Sequence, residues 1–159
     1  MGSAQKNWGN RVIAIGIILI VAVLAVQVVS AHFATPKATL HIGGDKFIAT
    51  IADTEASRIQ GLSGTLHLGA DHAMVLVFDA DGRHGIWMKD MHYALDVLWL
   101  NESKQVVDYV TNVSPDSYPR VFTPKENARY VVELKAGTIK AREIRVGQVA
   151  VFSGTDKEL

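Results

Sequence analysis

The residues best placed to do chemistry lie in one apolar stretch, Gly85 to Leu100, GIWMKDMHYALDVLWL. Lys89, Asp90, His92 and Asp96 interrupt a run otherwise built mainly from Trp, Met, Ile, Leu and Val. If Gly85–Lys89 and Asp96–Leu100 pair as an antiparallel hairpin, the symmetric register sets Lys89 opposite Asp96 and Trp87 opposite Leu98. Period-two alternation then puts these four side chains on one face. Two readings of the polar end follow. In one, Lys89–Asp96 is an internal ion pair that fixes register, as buried pairs do when they do anything beyond costing desolvation. In the other, Trp87, Lys89, His92 and Asp96 form a shallow ligand pocket, roofed by Tyr118 from a later loop, because pockets combine apolar walls with a few convergent polar groups.

Other chemistries find less support. The chain has no cysteine, which excludes disulfides, thiolate metal sites and cysteine nucleophiles. His32, His41, His67, His72, His84 and His92 form no H-x-H or H-E-x-x-H pattern, and no metal site or cofactor is expected. Gly61-Leu62-Ser63-Gly64 superficially resembles a nucleophile elbow, but it ends a helical stretch instead of joining strand to helix. Acid–base work would fall to Asp90, Asp96 or Glu133, since carboxyls in apolar surroundings acquire raised pKa values. In RYVVELKAG, Arg129, Val131, Glu133 and Lys135 share one face and Tyr130, Val132 and Leu134 the other. The second is the expected core face, so Glu133 is expected to meet solvent or a cross-strand partner. The 16 basic and 16 acidic residues balance, and no basic stripe with interleaved aromatics suggests nucleic acid.

The elements that must position these residues are mostly strands. ATLHIG and KFIATIAD alternate around Gly43-Gly44-Asp45, a hairpin pattern. TEASRIQGL reads as a short helix, with Asp53 or Thr54 as cap, Glu55 in its first turn and Gly61 at its end. AMVLVFD is nearly continuously apolar and is expected to be covered on both faces. HGIWMK, ALDVLWL, QVVDYVTNV, RYVVELKAG and VAVF read as further strands. SPDSYPRVFTPKENA is a proline-marked loop, and GTIKAREI a weak helix. No βαβ alternation is seen, so the expected fold is mainly β: a small antiparallel β sandwich or barrel with one or two short helices.

The N-terminal part is different. Val12 to Val29 is apolar apart from Gln27, and as a helix it would span about 27 Å, close to a bilayer core of about 30 Å. Lys6 and Arg11 precede it and no acid occurs before Asp45, which orients residues 1–11 toward the cytoplasm. The expected organisation is a cytoplasmic N-terminus (1–11), a signal anchor or transmembrane helix (12–29), a linker (30–37), an extracytoplasmic β domain (38–153) and a polar tail (154–159). The competing expectation is cleavage after Ala31, giving a secreted or periplasmic chain. The lack of a following cysteine excludes a lipoprotein.

Gly85-Ile86-Trp87-Met88-Lys89-Asp90-Met91 followed by Leu95-Asp96-Val97-Leu98-Trp99-Leu100 resembles the core motif of the domain of unknown function 192 family, also called uncharacterised protein family 0127. Thr54-Glu55 with Arg58 and Gly61-Leu62-Ser63-Gly64 is similar to its helical segment. Ala73–Phe78, Ser117-Tyr118-Pro119, Ala128–Gly137 and Val146-Gly147 follow in the same order. The likeness covers about residues 38 to 152. It implies a compact, mostly antiparallel β domain, often behind a signal or anchor segment, with no settled molecular activity. Thr65 stands where members commonly have Arg, which weakens any anion site built there. Ala94 stands where many have Pro.

Together these readings favour a membrane-anchored extracytoplasmic domain that acts as a binding or accessory module of the cell envelope, with a small ligand or an envelope protein as partner. One alternative is a hydrolase or lyase on envelope material, with Asp96 or Asp90 as base and Lys89 as charge stabiliser. The other is a structural partner of another membrane protein.

Overall fold

The structure is a computed structural model, and it describes residues 12, 13, 15–21, 23 and 36–154. The chain divides into two units, residues 1–34 and 35–159. In the first, the described residues are helical and almost all exposed. Among the described residues no helix is long and apolar enough to cross a membrane. Much of the expected 12–29 span, the cleavage position Ala31 and most of the tail 154–159 lie outside the described residues.

The second unit is built on a seven-stranded sheet, order β6-β5-β8-β3-β2-β1-β9. Its strands are β1 Lys37–Ile42, β2 Asp45–Ala52, β3 His72–Gly82, β5 Leu95–Leu100, β6 Val106–Val113, β8 Ala128–Lys135 and β9 Val151–Ser153. A separate two-stranded ribbon pairs β4 (Ile86–Trp87) with β7 (Val121–Phe122). Two short helices, α1 (Glu55–Gln60) and α2 (Thr138–Ala141), complete it.

The sheet is neither wholly antiparallel nor a closed barrel. The β1–β2 hairpin forms as its alternation and Gly-Gly turn require, with Leu40 opposite Phe47. β2 and β3, however, run parallel, Ile48 beside His72 and Ala52 beside Leu76. A parallel neighbour cannot be reached by a tight turn; here residues 53–71, with α1, supply the crossover. The first residues of β6 meet the chain just before β9 through the isolated Gln105–Val149 bridge and a few neighbouring hydrogen bonds, Val106 N–H to the Gln148 carbonyl and Ala150 N–H to the Lys104 carbonyl among them, but β6 and β9 do not pair, so the sheet is curled and remains open.

Each face of the sheet carries its own core. On one face Leu40, Phe47, Ala49, Ile51, Val75, Leu98, Leu100, Val132 and Leu134 pack with Ile139 and Ile144. On the other, Leu62, Met74, Leu76, Ile86, Met88, Leu95, Val97, Trp99 and Val131 pack together. β3, β5 and β8 lie at the middle of the sheet and contribute to both. That is why AMVL, LDVLWL and YVVEL are almost continuously apolar.

The expected hairpin of the opening motif does not form. β5 pairs antiparallel with β6 and β8, and β4 pairs with β7, Ile86 opposite Phe122. Burial explains the split. All six residues of Leu95–Leu100 are buried, so this strand belongs in the interior of the sheet. From Gly85 to Lys89 burial alternates, with Ile86 and Met88 inside and Gly85, Trp87 and Lys89 exposed, the pattern of a ribbon lying over a core. Gly85 lets the ribbon close, because a Cβ there would sit 2.5 Å from Val121 Cγ1. Trp99, one layer below, donates from Nε1 to the His84 carbonyl oxygen at 2.8 Å and ties the two layers together.

Candidate functional site

α1 begins where its sequence says it should. Thr54 is the cap: its Oγ1 accepts from the Ser57 N–H at 3.1 Å, and the Thr54 N–H donates to Ser57 Oγ at 3.0 Å. This reciprocal box satisfies two otherwise orphaned donors. The helix stops at Gly61, whose φ of 47° and ψ of −125° suit glycine and strain any side chain. The following turn is stitched to the 89–93 turn. Ser63 Oγ donates to the Lys89 carbonyl at 2.8 Å, the Gly64 N–H to the Asp90 carbonyl at 2.8 Å, and the Thr65 and Tyr93 hydroxyls meet at 2.6 Å. Thr65 thus acts as a polar link, and Asp90, at φ 55°, shapes the turn it closes.

Between α1, this stitched turn and the β4 ribbon lies a cleft of about 370 Å³. Ile59 and Trp87 stand at its mouth, 62% and 45% exposed. Leu62, Leu76, Phe78, Ile86, Met91 and Leu95 give it apolar walls. Its polar members are Glu55, Arg58, Gln60, Ser63 and Glu133.

Glu133 is the unusual one. It is 5% exposed, and its Oε2 is buried with no hydrogen-bond partner. A Cβ at Gly61 would lie 3.9 Å from that oxygen, so the carboxyl sits directly beneath the helix end. Burial pushes its pKa up to about 7, because the ionised form has lost its water and gained no donor. Nearby, the Tyr93 phenol is raised by its own burial first; the Thr65 hydrogen bond opposes this, and the Glu133 charge adds to it.

Arg58 is fixed in the wall. Its Nη1 donates to the Asp53 and Val77 carbonyls at 2.9 and 2.8 Å, its Nη2 lies 3.8 Å from Asp79 Oδ2, and its guanidinium sits 5.1 Å from the centre of the Phe78 ring. Gln60 donates to the Ser63 carbonyl at 2.7 Å. These polar groups are largely committed to holding the cleft open, while the Glu133 oxygen is committed to nothing.

The residues expected to form a pocket are dispersed. Trp87 lines the cleft, with Tyr118 edge-on to it at 6.2 Å between ring centres. Lys89 and His92 are exposed and stand outside the cleft lining. Asp96 is on the opposite face of the sheet, fully buried, accepting from the Asn112 and Ile139 N–H groups at 2.8 Å each. Its carboxylate therefore faces two backbone donors and not Lys89, and the proposed Lys89–Asp96 pair is corrected. Among the described residues no group of three or more His, Asp or Glu could hold a metal ion.

Glu133 is the cleft residue whose expected exposure the structure corrects. The alternation was right: Val131 and Glu133 do share a face opposite Val132 and Leu134. That face is covered by α1 and the β4 ribbon instead of meeting solvent. The signal in the sequence was Val131, an apolar residue on the supposedly exposed side.

Known proteins share the family and the fold of this chain. A UPF0127 protein of Thermococcus gammatolerans is 34% identical over 110 residues, 68% of each chain. Its counterpart in Thermococcus kodakarensis is 34% identical over 109 residues, 67% of this chain and 66% of that one. The chain therefore spans about two thirds of the length of these relatives. A crystal structure from Sinorhizobium meliloti 1021, named as a candidate transcription regulator, superposes with a TM-score of 0.68 at 24% identity, over 75% of this chain and 94% of that one. At that identity the likeness concerns the fold. The model of the family DUF192, described as Uncharacterized ACR, matches residues 38–152, and the chain belongs to this DUF192/UPF0127 family.

Proposed function

We propose that the domain is a binding module whose ligand enters the cleft between α1 and the β4 ribbon. One observation carries the reading: Glu133, whose buried carboxyl oxygen Oε2 has no hydrogen-bond partner, lines a mostly apolar cleft of about 370 Å³. An unmet buried polar group costs about 1–3 kcal/mol, and a ligand that satisfied it would recover that cost. Cleft size and lining match ordinary small-molecule sites. The module works at the cell envelope, held by the apolar segment 12–29 with residues 1–11 in the cytoplasm, or released after Ala31; Lys6 and Arg11 before the run support this orientation.

A second reading rests on the same residue. A carboxyl titrating near pH 7 is poised for general acid–base work, so Glu133, in place of Asp96 or Asp90, would serve a hydrolase or lyase.

The test is capture from the expressing cell. Full-length protein is purified in mild detergent, denatured, and the released small molecules identified by mass spectrometry, beside Ile59→Trp, which fills the cleft mouth from an exposed helix position. A molecule retained by the wild type and missing from the folded variant is the expected result. Identical retention by both proteins would refute a ligand in this cleft. For the location, an alkaline phosphatase fusion after Leu159 should be active; an inactive fusion would place the domain in the cytoplasm.

A further inference from the structure

We infer that the cleft takes an amine, its ammonium hydrogen-bonded to the Glu133 carboxylate and its apolar body lying along Leu76, Ile86 and Trp87. This inference rests on the binding reading above and names the ligand class. The argument begins with what the cleft lacks. Glu133 Oε2 is enclosed and has no donor. The polar side chains of the lining are held by bonds that point elsewhere, and none donates to it: Arg58 Nη1 is on the Asp53 and Val77 carbonyls, Gln60 on the Ser63 carbonyl, and Ser63 on the Lys89 carbonyl. The missing partner must therefore bring its own N–H or O–H.

Charge decides which. Glu55, Arg58 and Glu133 are the ionisable residues of the lining, and Arg58 already lies 3.8 Å from Asp79 Oδ2, which is outside it. The lining holds two carboxyls against one guanidinium whose charge is partly answered elsewhere. A carboxylate or phosphate ligand would meet Glu133 like charge to like charge. A neutral alcohol would supply a donor and no charge. An ammonium supplies both, and hydrogen bonds between charged partners are the stronger ones. Trp87 adds an aromatic wall at the mouth, against which the apolar body of the amine lies. The cleft is also large enough for a ring or a short chain behind the amine.

Matched probes test this. Benzylamine, benzyl alcohol and benzoate are titrated by calorimetry, at mildly alkaline pH, into the full-length protein in a neutral detergent, with detergent blanks. Benzylamine is expected to bind about tenfold or more tighter than benzyl alcohol, with no benzoate binding. Glu133→Gln should lose about tenfold or more for benzylamine while holding benzyl alcohol within about twofold. The ranking on wild-type protein stands without the variant, so a Glu133→Gln chain that failed to fold would leave the test intact. Equal binding of the amine and the alcohol, both weakened by Ile59→Trp, would overturn the amine and keep the cleft. Affinities unaffected by Ile59→Trp would overturn both. No benzylamine binding, or a preference for benzoate, would overturn the amine.

Discussion

Asp96 and Glu133 are both buried carboxyls on neighbouring central strands, and they are opposite in kind. Asp96 lies on the inner face of the curled sheet and accepts one backbone N–H on each oxygen, from Asn112 beside it in β6 and from Ile139 at the start of α2. Glu133 lies on the outer face, and its Oε2 accepts nothing. The first carboxylate does what a backbone carbonyl would do, tying a helix and an edge strand to the sheet. The second is enclosed without any such task. A buried acid with its donors present is structure; one without them, beside a cleft, is a candidate binding group.

The largest effect separating the two should come from Asp96→Ala. Removing the acceptor leaves the buried Ile139 N–H and the part-buried Asn112 N–H unmet, at about 1–3 kcal/mol each. A loss of roughly 4 kcal/mol in urea unfolding is expected. A loss no larger than an exposed substitution would show that water reaches these groups.

Glu133 should behave the other way, with a dependence on pH. Its pKa is about 7 folded against an ordinary glutamate value of 4.5, so between those values the folded state holds a proton that the unfolded state has released. Stability from this group is complete below about pH 4.5 and is lost as pH rises through 7. The loss amounts to roughly 3 kcal/mol over that window. Glu133→Gln should lack the slope, and its unfolding free energy relative to wild type should improve by that amount from acid to mildly alkaline pH. A constant difference between the two proteins would mean that Glu133 has a partner after all.

A smaller effect tests the lid over the unmet oxygen. Gly61→Ala places a Cβ on a backbone at φ 47° and should cost about 1–3 kcal/mol. The added methyl makes ordinary contact with Glu133 Oε2 at 3.9 Å, so the cost should come from backbone strain and not from a clash. The Tyr93 ring, tied to the same turn through Thr65, should report it by a shifted NMR resonance. The smallest effect belongs to Lys89→Met. Lys89 is exposed and partners neither carboxyl, so the unfolding midpoint should not move. A clear drop would restore it as an internal strut.

Much of the site's framework was legible from the residues. Asp53 or Thr54, of which Thr54 proved to be the cap, and Gly61 marked the ends of α1, and the Gly43-Gly44 turn marked the first hairpin, because caps and turns are local. The Lys89–Asp96 pairing failed because it required choosing a partner strand. A run such as LDVLWL says that both its faces are covered but not by what, and the nearest apolar segment in sequence proved to be a ribbon laid over the sheet.

Sequence alone determined the strand-rich composition, the periodicity of each strand and the family motifs, since these depend on side chains a few residues apart. It also determined that Val131 and Glu133 share a face. Tertiary structure decided which face was dry. The parallel crossover from β2 to β3 carries α1 across the outer side of the sheet, where it and the β4 ribbon shut Glu133 away from water. Burial is a property of everything packed against a residue. No local pattern could show that this glutamate, set among the hydrophobic residues of a central strand, would be left without a hydrogen-bond donor.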